Sequence, residues 1–415
     1  MHIVYVSQYF PPEMGAPAAR VYELSRAWVK QGHKVSVVTG FAHHPTGVKA
    51  PEDQYQIFRR ETIDGVEVVR SYVFATANRG IGKRMVSYAI FMVAATLIGG
   101  IHVHSPHVVI ATSPQLLCGL AGYFLAKRFR VPFVLEVRDL WPESILAVDA
   151  MRENAIVRGL RRVAQFLYTK AALIVTVGNG YKKQIHERYG ISLERMYVVP
   201  NGIDGDLFVP GPRQNEIRLR YGWADRFVVL YVGTHGMAHA LHVVLDAAEQ
   251  LQSNPDILFV FVGEGAEKDN LEKLARDKGL SNIQFIDQQP RSRVPEFYSA
   301  CDVGLVTLRD TRLFQSVLPS KIFEYLAMAR PVLLSVDGEA RALVEEAGAG
   351  WYVAPEDSWA LREAILKAVQ DRQALEQMGN RGHDYVMRYY DRTDLANKYL
   401  KLLFMIAGHA PKRTN

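Results

Sequence analysis

Two successive series of short apolar runs, each alternating with helical patterns, constrain this chain more than any single motif does. The first series reads HIVYVSQYF, KVSVVTG, VEVVRSYV, VVIATS, FVLEVRD and LIVTVG, with helix-spaced segments such as AARVYELSRAWVKQG, LLCGLAGYFLAKRF and IVRGLRRVAQFLYTKAA between them. Short apolar runs of this kind are strands buried on both faces, as in a parallel sheet. A second series, FVVLYVG, ILFVFVG, IQFID, VGLVTL, RPVLLSV and GWYVA, begins after PNGIDGDLFVPG. The alternation predicts an α/β chain of two consecutive domains. Pro200-Asn201-Gly202 punctuates the boundary, which gives a first domain over 1–200 and a second over 201–385. The strand-free stretch after Asp384 reads as helix, and the segment 386–415 is expected to pack back on the first domain.

A length of 415 residues, 49% hydrophobic and 22% charged, excludes a disordered or collagenous chain. Cys118 and Cys301 each stand alone in an apolar stretch, which argues against a disulfide framework or a cysteine–zinc site and for a reducing compartment. The net charge of +6 hides an asymmetry: residues 1–200 hold 24 Lys and Arg against 14 Asp and Glu, whereas residues 201–415 hold 25 against 29. A basic half attracts nucleic acid, an anionic membrane or a phosphorylated ligand. No zinc finger, helix-turn-helix or RNP-like motif supports the first. MHIVYVSQYFPP has no basic region ahead of a long apolar run and reads as a strand, not a signal peptide. Met85 to Ile101 departs from the rhythm, with 17 residues and no charge. Spanning a bilayer takes about 20 apolar residues. The segment therefore reads either as a buried helix or as one lying on a membrane beside Arg79, Lys83 and Arg84.

In an open α/β sheet, ligands bind beyond the carboxyl ends of the strands. Four loops there carry chemistry. In QYFPPEMGAPAAR, Gly15 lets backbone approach a ligand ahead of a helix start whose free N–H groups suit phosphate. In EVRDLWPES, Asp139 is placed to orient or deprotonate an acceptor hydroxyl and Arg138 to hold a phosphate. The structural alternative is an ion pair of Arg138 with Asp139 or Glu143, capping a helix at Pro142. Arg138, Asp139 and Glu143 form the candidate catalytic set. In Gly233-Thr234-His235-Gly236, the glycines suit a diphosphate close to backbone. The most specific loop is LPSKIFEYLAMA: Pro319 and Ser320 mark a helix start, Lys321 adds a positive charge in its first turn, and Glu324 is placed to accept two ribose hydroxyls. The alternative is an i,i+3 surface pair of Lys321 with Glu324.

Together with QGHKVSVVTG, PNGIDGDLF, GEGAEKDNLEKLA and SKIFEYLAMARPVL with its downstream GWYV, these motifs span nearly the whole chain. The chain resembles the retaining GT-B glycosyltransferases of the family-four group. DLWPES and PSKIFEYLA are similar to the WbuB-like branch, which moves N-acetylated deoxysugars in surface polysaccharide assembly. The resemblance implies two Rossmann-like domains with parallel sheets facing across a cleft, the first holding the acceptor and the second a nucleoside diphosphate sugar. It implies no metal cofactor, since such enzymes hold the leaving diphosphate with amides and cations. No DxD-type motif stands at a suitable strand end, where Asp302 is a lone acid.

Two departures from the family pattern matter. The group commonly carries Glu-x7-Glu, but Ser316 stands eight residues before Glu324, and the Arg and Lys usual after the first strand of the second domain are replaced by GTHGMAHAL. Lys321, Arg291 or Arg293, and the helix amides at Pro319 to Lys321 are then the candidates for the diphosphate. Gly15, Gly233, Thr234, Ser316, Ser320 and Glu324 complete the donor set. The implied reaction moves a hexosamine or deoxyhexosamine, with retention, from a UDP-sugar to a polyprenyl-diphosphate-linked or other saccharide acceptor. The protein is expected in the cytoplasm, peripherally on the inner face of the membrane, with no nucleic-acid partner. Two other functions stay open: a nonhydrolysing nucleotide-sugar epimerase, less favoured by the carboxy-terminal block, and a noncatalytic binding subunit, against which Lys321 and Glu324 argue.

Overall fold

A computed structural model describes residues 1–13, 15–43, 47–75, 81–113, 115–148 and 151–408. The chain divides into two compact units, one of Met1–Pro200 with the segment from Arg392 onward, the other of Asn201–Asp391. The first unit is built on strands β1 (His2–Val6), β2 (Lys34–Gly40), β3 (Phe58–Ile63), β4 (Val66–Ser71), β5 (Val108–Thr112), β6 (Phe133–Val137), β7 (Leu173–Thr176) and β8 (Met196–Val198). Among the described residues they form one sheet of order β3-β4-β2-β1-β5-β6-β7-β8, parallel except for the β3–β4 hairpin. Every residue of β1, β5, β6 and β7 is buried, so continuous apolar runs form the centre of the sheet.

The apolar-run reading passes over two edge strands. FRRETI alternates half-buried with exposed residues, and its turn at Asp64-Gly65 holds both residues at positive φ, a compact hairpin connection. MYV at the other edge is three residues long.

Helices α1 (Ala16–Lys30), α2 (Ile81–His102) and α3 (Leu116–Phe129) cover this sheet. A methyl added at Gly122 of α3 would stand 2.4 Å from the Ala111 Cβ of β5, so glycine permits the close helix–strand approach. The apolar segment Met85–Ile101 lies within α2, which is neither wholly buried nor wholly free. It buries Tyr88, Phe91, Ala95 and Ile98 and exposes Val86, Val93, Leu97 and Ile101, spaced as one helical face. Arg79 lies outside the described residues.

One buried polar network ties the first unit together. Arg20 of α1 donates to the Glu136 carboxylate at 3.0 Å, to Val199 O at 2.9 Å and to Pro200 O at 2.6 Å. Tyr5 and Thr112 hydroxyls donate to the same carboxylate at 2.7 and 2.8 Å. Burial alone raises the Glu136 carboxyl, but Arg20, Arg138 and the hydroxyl donors bring it below its ordinary value. Glu23, one turn along α1, pairs with Arg392. The helix Arg392–Ala407 packs there too: Tyr399 meets Trp28 edge-on at 5.5 Å, and the Trp28 indole donates to Ala396 O at 3.0 Å.

The second unit holds β9 (Phe227–Val232), β10 (Ile257–Val262), β11 (Ile283–Ile286), β12 (Val303–Thr307), β13 (Val332–Ser335) and β14 (Gly350–Tyr352), all parallel, in the order β11-β10-β9-β12-β13-β14. The helix read as continuous from Asp384 is in fact broken at Tyr390-Asp391. Ile203 N–H donates to Tyr390 O at 2.9 Å and Ile203 bridges Asp391 as a strand partner, which pulls that backbone out of the helix. The carboxy-terminal segment that joins the first unit therefore starts at Arg392, six residues after the expected boundary.

Candidate functional site

The second unit places its candidate ligand loops at the ends of β9 and β10. Gly233 takes φ +142 and Gly263 φ +146, in the left-handed region that favours glycine, and a Cβ on Gly263 would meet Gly233 O at 2.0 Å. The two loops are stitched edge to edge, with His235 N–H donating to Glu264 O and Glu267 N–H to His235 O, both at 2.9 Å. Against Gly233 stands Lys321, in the first turn of helix α4 (Ser320–Ala327). Its Nζ lies 3.2 Å from the position a Gly233 Cβ would take and 3.6 Å from the Tyr231 ring centroid.

Lys321 is 8% exposed, and among the described residues its ammonium has no hydrogen-bond acceptor. Burial pushes its pKa down to about 7, against a smaller opposing pull from Glu324. A buried ammonium lacking such acceptors lowers stability. Beside a strand-end glycine loop it is a candidate for a functional group. α4 adds to it: Pro319 is its N-cap and offers no side-chain cap, and Ile322 N–H already returns to Pro319 O, so the amides of Ser320 and Lys321 are left for a ligand.

The alternative, a surface pair of Lys321 with Glu324, does not form, because the lysine turns inward onto Tyr231. Glu324 accepts from the Tyr298 hydroxyl at 2.6 Å and lies 3.7 Å from Arg291. Arg293 turns to Glu296 at 3.3 Å. Arg291 is thus brought to the Glu324 side of the site and Arg293 is not. Thr234 is exposed, and its carbonyl accepts from the Tyr231 hydroxyl at 2.7 Å. Ser316 lies in the short turn Phe314–Ser316 and is part-buried.

In the first unit, Ser113 Oγ accepts the backbone N–H of Arg138 at 2.8 Å and of Asp139 at 3.3 Å, fixing both residues as the chain leaves β6. Asp139, with Ser113, Gln115, Leu135, Trp141 and Tyr168, lines a cavity. Burial pushes the Asp139 carboxyl up to about 6 and the Arg138 guanidinium down to about 10. The structural alternative, an ion pair of Arg138 with Glu143, gives way to another arrangement. Glu143 is buried against Arg161 at 3.2 Å, the Tyr189 hydroxyl at 3.1 Å and Arg188 at 3.7 Å, three groups that fasten the helix Glu143–Ala147 to its neighbours. Its geometry is that of a structural anchor. Gly15, at φ +117, is the N-cap of α1 in the first unit, whereas the other donor candidates belong to the second.

Several residues escaped the sequence reading. Tyr231 and Tyr298 orient Lys321 and Glu324, and their apolar surroundings in sequence gave no sign of it. His235 and His239 stand in the GTHGMAH loop, which reads as lacking cations because histidine is neutral at pH 7. His235 is fully buried, with neither ring nitrogen partnered, and Nδ1 of His239 is likewise enclosed and unpartnered. Among the described residues, no group of three or more His, Cys, Asp or Glu side chains is placed to hold a metal ion.

Residues 15–202 match the glycosyl transferase 4-like domain, and residues 214–385 match the glycosyl transferases group 1. The probable glycosyltransferase WbjE of Pseudomonas aeruginosa is 27% identical over 62% of this chain and 64% of its own length, just under two thirds. The putative colanic acid biosynthesis glycosyl transferase WcaI of Escherichia coli (strain K12) is 23% identical, covering 96% of this chain and 99% of that protein. Among solved structures, Anabaena HepE in complex with UDP-glucose covers 98% of this chain and 100% of its own with a TM-score of 0.73 at 18% identity. That likeness is one of fold: two parallel-sheet α/β domains, the GT-B architecture.

Proposed function

From the premise that this chain belongs to the glycosyltransferases, with a 4-like domain followed by a group 1 domain, we propose that it moves a sugar from a UDP-sugar to a lipid-linked saccharide. HepE was solved with UDP-glucose and WcaI is named for colanic acid biosynthesis, which favours a nucleotide-sugar donor and a polysaccharide product. The observation that carries the reading is the buried ammonium of Lys321, without a hydrogen-bond acceptor, beside the Gly233 loop and the open start of α4. In this reading Lys321 and the amides of Ser320 and Lys321 hold the diphosphate, and the free lone pairs of Glu324 hold the ribose. No metal is needed where amides and cations take the developing charge.

The bond from the anomeric carbon to the diphosphate oxygen breaks, and its electron pair leaves with the diphosphate. The oxocarbenium-like sugar is attacked on the same face by the acceptor hydroxyl, so configuration is retained. The hydroxyl proton passes to a base, for which Asp139 is the candidate. A hexosamine or deoxyhexosamine, as in the WbuB-like branch, is the proposed sugar.

A charged hydrogen bond is worth about 1.5 to 3 kcal/mol, so Lys321→Ala or Glu324→Gln weakens UDP binding about tenfold to a hundredfold by calorimetry. Glu345→Gln, an acid elsewhere on the same unit, leaves it intact. Wild-type affinity in both site variants would misplace the donor site. Asp139→Asn abolishes most transfer while UDP affinity holds. Normal transfer by that variant removes Asp139 from the chemistry. Turnover of the donor without acceptor points instead to the epimerase, and binding with no turnover to a noncatalytic subunit.

The acceptor reading places the protein peripherally on the cytoplasmic face of the membrane. α2 supports it with the exposed apolar face of Val86, Val93, Leu97 and Ile101, near Lys83. Anionic vesicles sediment the wild type at low salt, and Val93→Ser with Leu97→Ser weakens this. Phe91 is fully buried and is no probe of the surface. Protein that stays in the supernatant would reduce α2 to a half-buried structural helix.

A further inference from the structure

Resting on the donor site proposed above, we infer that His239 is a second diphosphate-binding residue, sharing the anion with Lys321. Three polar side chains surround one ring in this part of the fold. Lys321 lies over Tyr231, and the His235 and His239 rings stand 5.8 and 5.9 Å from the Tyr231 centroid. Lys321 Nζ, His239 Nδ1 and both His235 nitrogens are enclosed and, among the described residues, without hydrogen-bond partners. Four unsatisfied buried polar atoms within one small cluster exceed what a packed core tolerates. The backbone around them is fixed: the His239 carbonyl accepts from Thr307 Oγ1 of β12 at 2.6 Å, and His235 is held on both sides by the Gly263 loop.

Of these groups, His239 is the better placed to meet a ligand. It lies beyond the Gly236 turn and is only half-buried, whereas His235 is fully buried and packs near Phe261 and Phe285.

The charged groups facing the cluster set the sign. Burial and the cation of Lys321 push His239 down to about 3, against a smaller opposing pull from its hydrogen bond with the Thr307 backbone, and burial with Lys268 and Lys321 pushes His235 down to about 4. The nearby acids are engaged elsewhere: Glu264 and Asp287 hold Lys268, and Glu324 holds Tyr298 and Arg291. Tyr231 stays neutral, its hydroxyl bound to Thr234 O. Both imidazoles are therefore neutral at pH 7, and Lys321 titrates near it. A bound diphosphate adds an attraction to the charged form of each of these groups, which opposes burial and their mutual repulsion. Binding draws in protons, so affinity falls as pH rises through the Lys321 value.

The test is calorimetric titration of UDP between pH 7 and 9, above the phosphate ionisation near about 6, in two buffers of different ionisation enthalpy. The expected result for the wild type is net proton uptake and a loss of affinity of about tenfold to a hundredfold per pH unit at its steepest, for one to two protons taken up. Lys321→Arg, charged throughout, binds UDP with a flatter profile. His239→Asn weakens binding about tenfold at pH 7 and takes up fewer protons, while uridine, lacking phosphate, shows no change with pH in any variant. Circular dichroism checks folding, and His239→Gln replaces the Asn variant if that one is unfolded. UDP binding that is flat with pH, or unchanged in the folded His239 variant, overturns the inference and leaves the donor site standing. A wild type that binds no UDP at any pH overturns both.

Discussion

Arg20 and Lys321 are both buried cations, one in each unit, and they are treated in opposite ways. The Arg20 guanidinium meets a carboxylate and two carbonyls, and that carboxylate, Glu136, takes two further hydroxyl donors. The Lys321 ammonium has an aromatic face and, among the described residues, no acceptor. A saturated network specifies a fold, because any rearrangement strands a buried charge. A cation held without acceptors works against the fold, which is what the proposed donor site expects of a charge kept for a ligand. Burial alone does not draw this difference, since both cations are buried.

The largest effect expected from this contrast is at Arg20. Arg20→Ala leaves Glu136 buried without its cation and the carbonyls of Val199 and Pro200 without their donor. Breaking a buried pair by removing one partner costs about 3–5 kcal/mol. Urea unfolding of the first unit should show a loss of that size. A loss near that of a surface substitution would mean that Glu136 escapes to solvent or is neutralised, and the network would no longer stand for saturation.

Lys321 should respond with the opposite sign. Its pKa is about 7 in the folded chain and 10.5 in an ordinary lysine, so between those values the unfolded state binds more protons. Stability must therefore rise with pH across that window, and the burden of the charge is full below pH 7. Lys321→Met removes it, and the melting point of the second unit at neutral pH should rise by about 2–4 °C for each kcal/mol relieved. UDP binding should fall in the same variant, a stability–function exchange. A Lys321→Met protein that melts lower than wild type would make the lysine a structural residue after all.

The contrast also marks how far sequence carries. The buried strands were legible because parallel-sheet strands are continuous apolar runs, and FRRETI and MYV were not because one is half-exposed and the other very short. The helix start at Pro319, with Lys321 and Glu324 on it, was legible from residue type and spacing. The inward turn of Lys321 was not: it depends on Tyr231, ninety positions away, as the Glu324 orientation depends on Tyr298. GTHGMAH gave its glycines to the eye but hid its histidines, whose chemistry depends on burial against Tyr231 and Lys321.

The smallest expected effect distinguishes the two arginines that sequence could not tell apart. Arg293 pairs with Glu296 one turn along, both partly exposed, and pairs of that spacing are worth about 0.2–0.5 kcal/mol. Arg291 reaches Glu324 across elements and lies 5.4 Å from the Phe208 ring. Arg293→Gln should leave both the melting point and UDP affinity near wild type. Arg291→Gln should weaken UDP several-fold, because Glu324 loses one of the two groups that hold its carboxylate, and the effect should vanish in a Glu324→Gln background. Additive losses in that double-mutant cycle would show that Arg291 meets the nucleotide on its own account, and the pairing with Glu324 would cease to define the ribose end of the site.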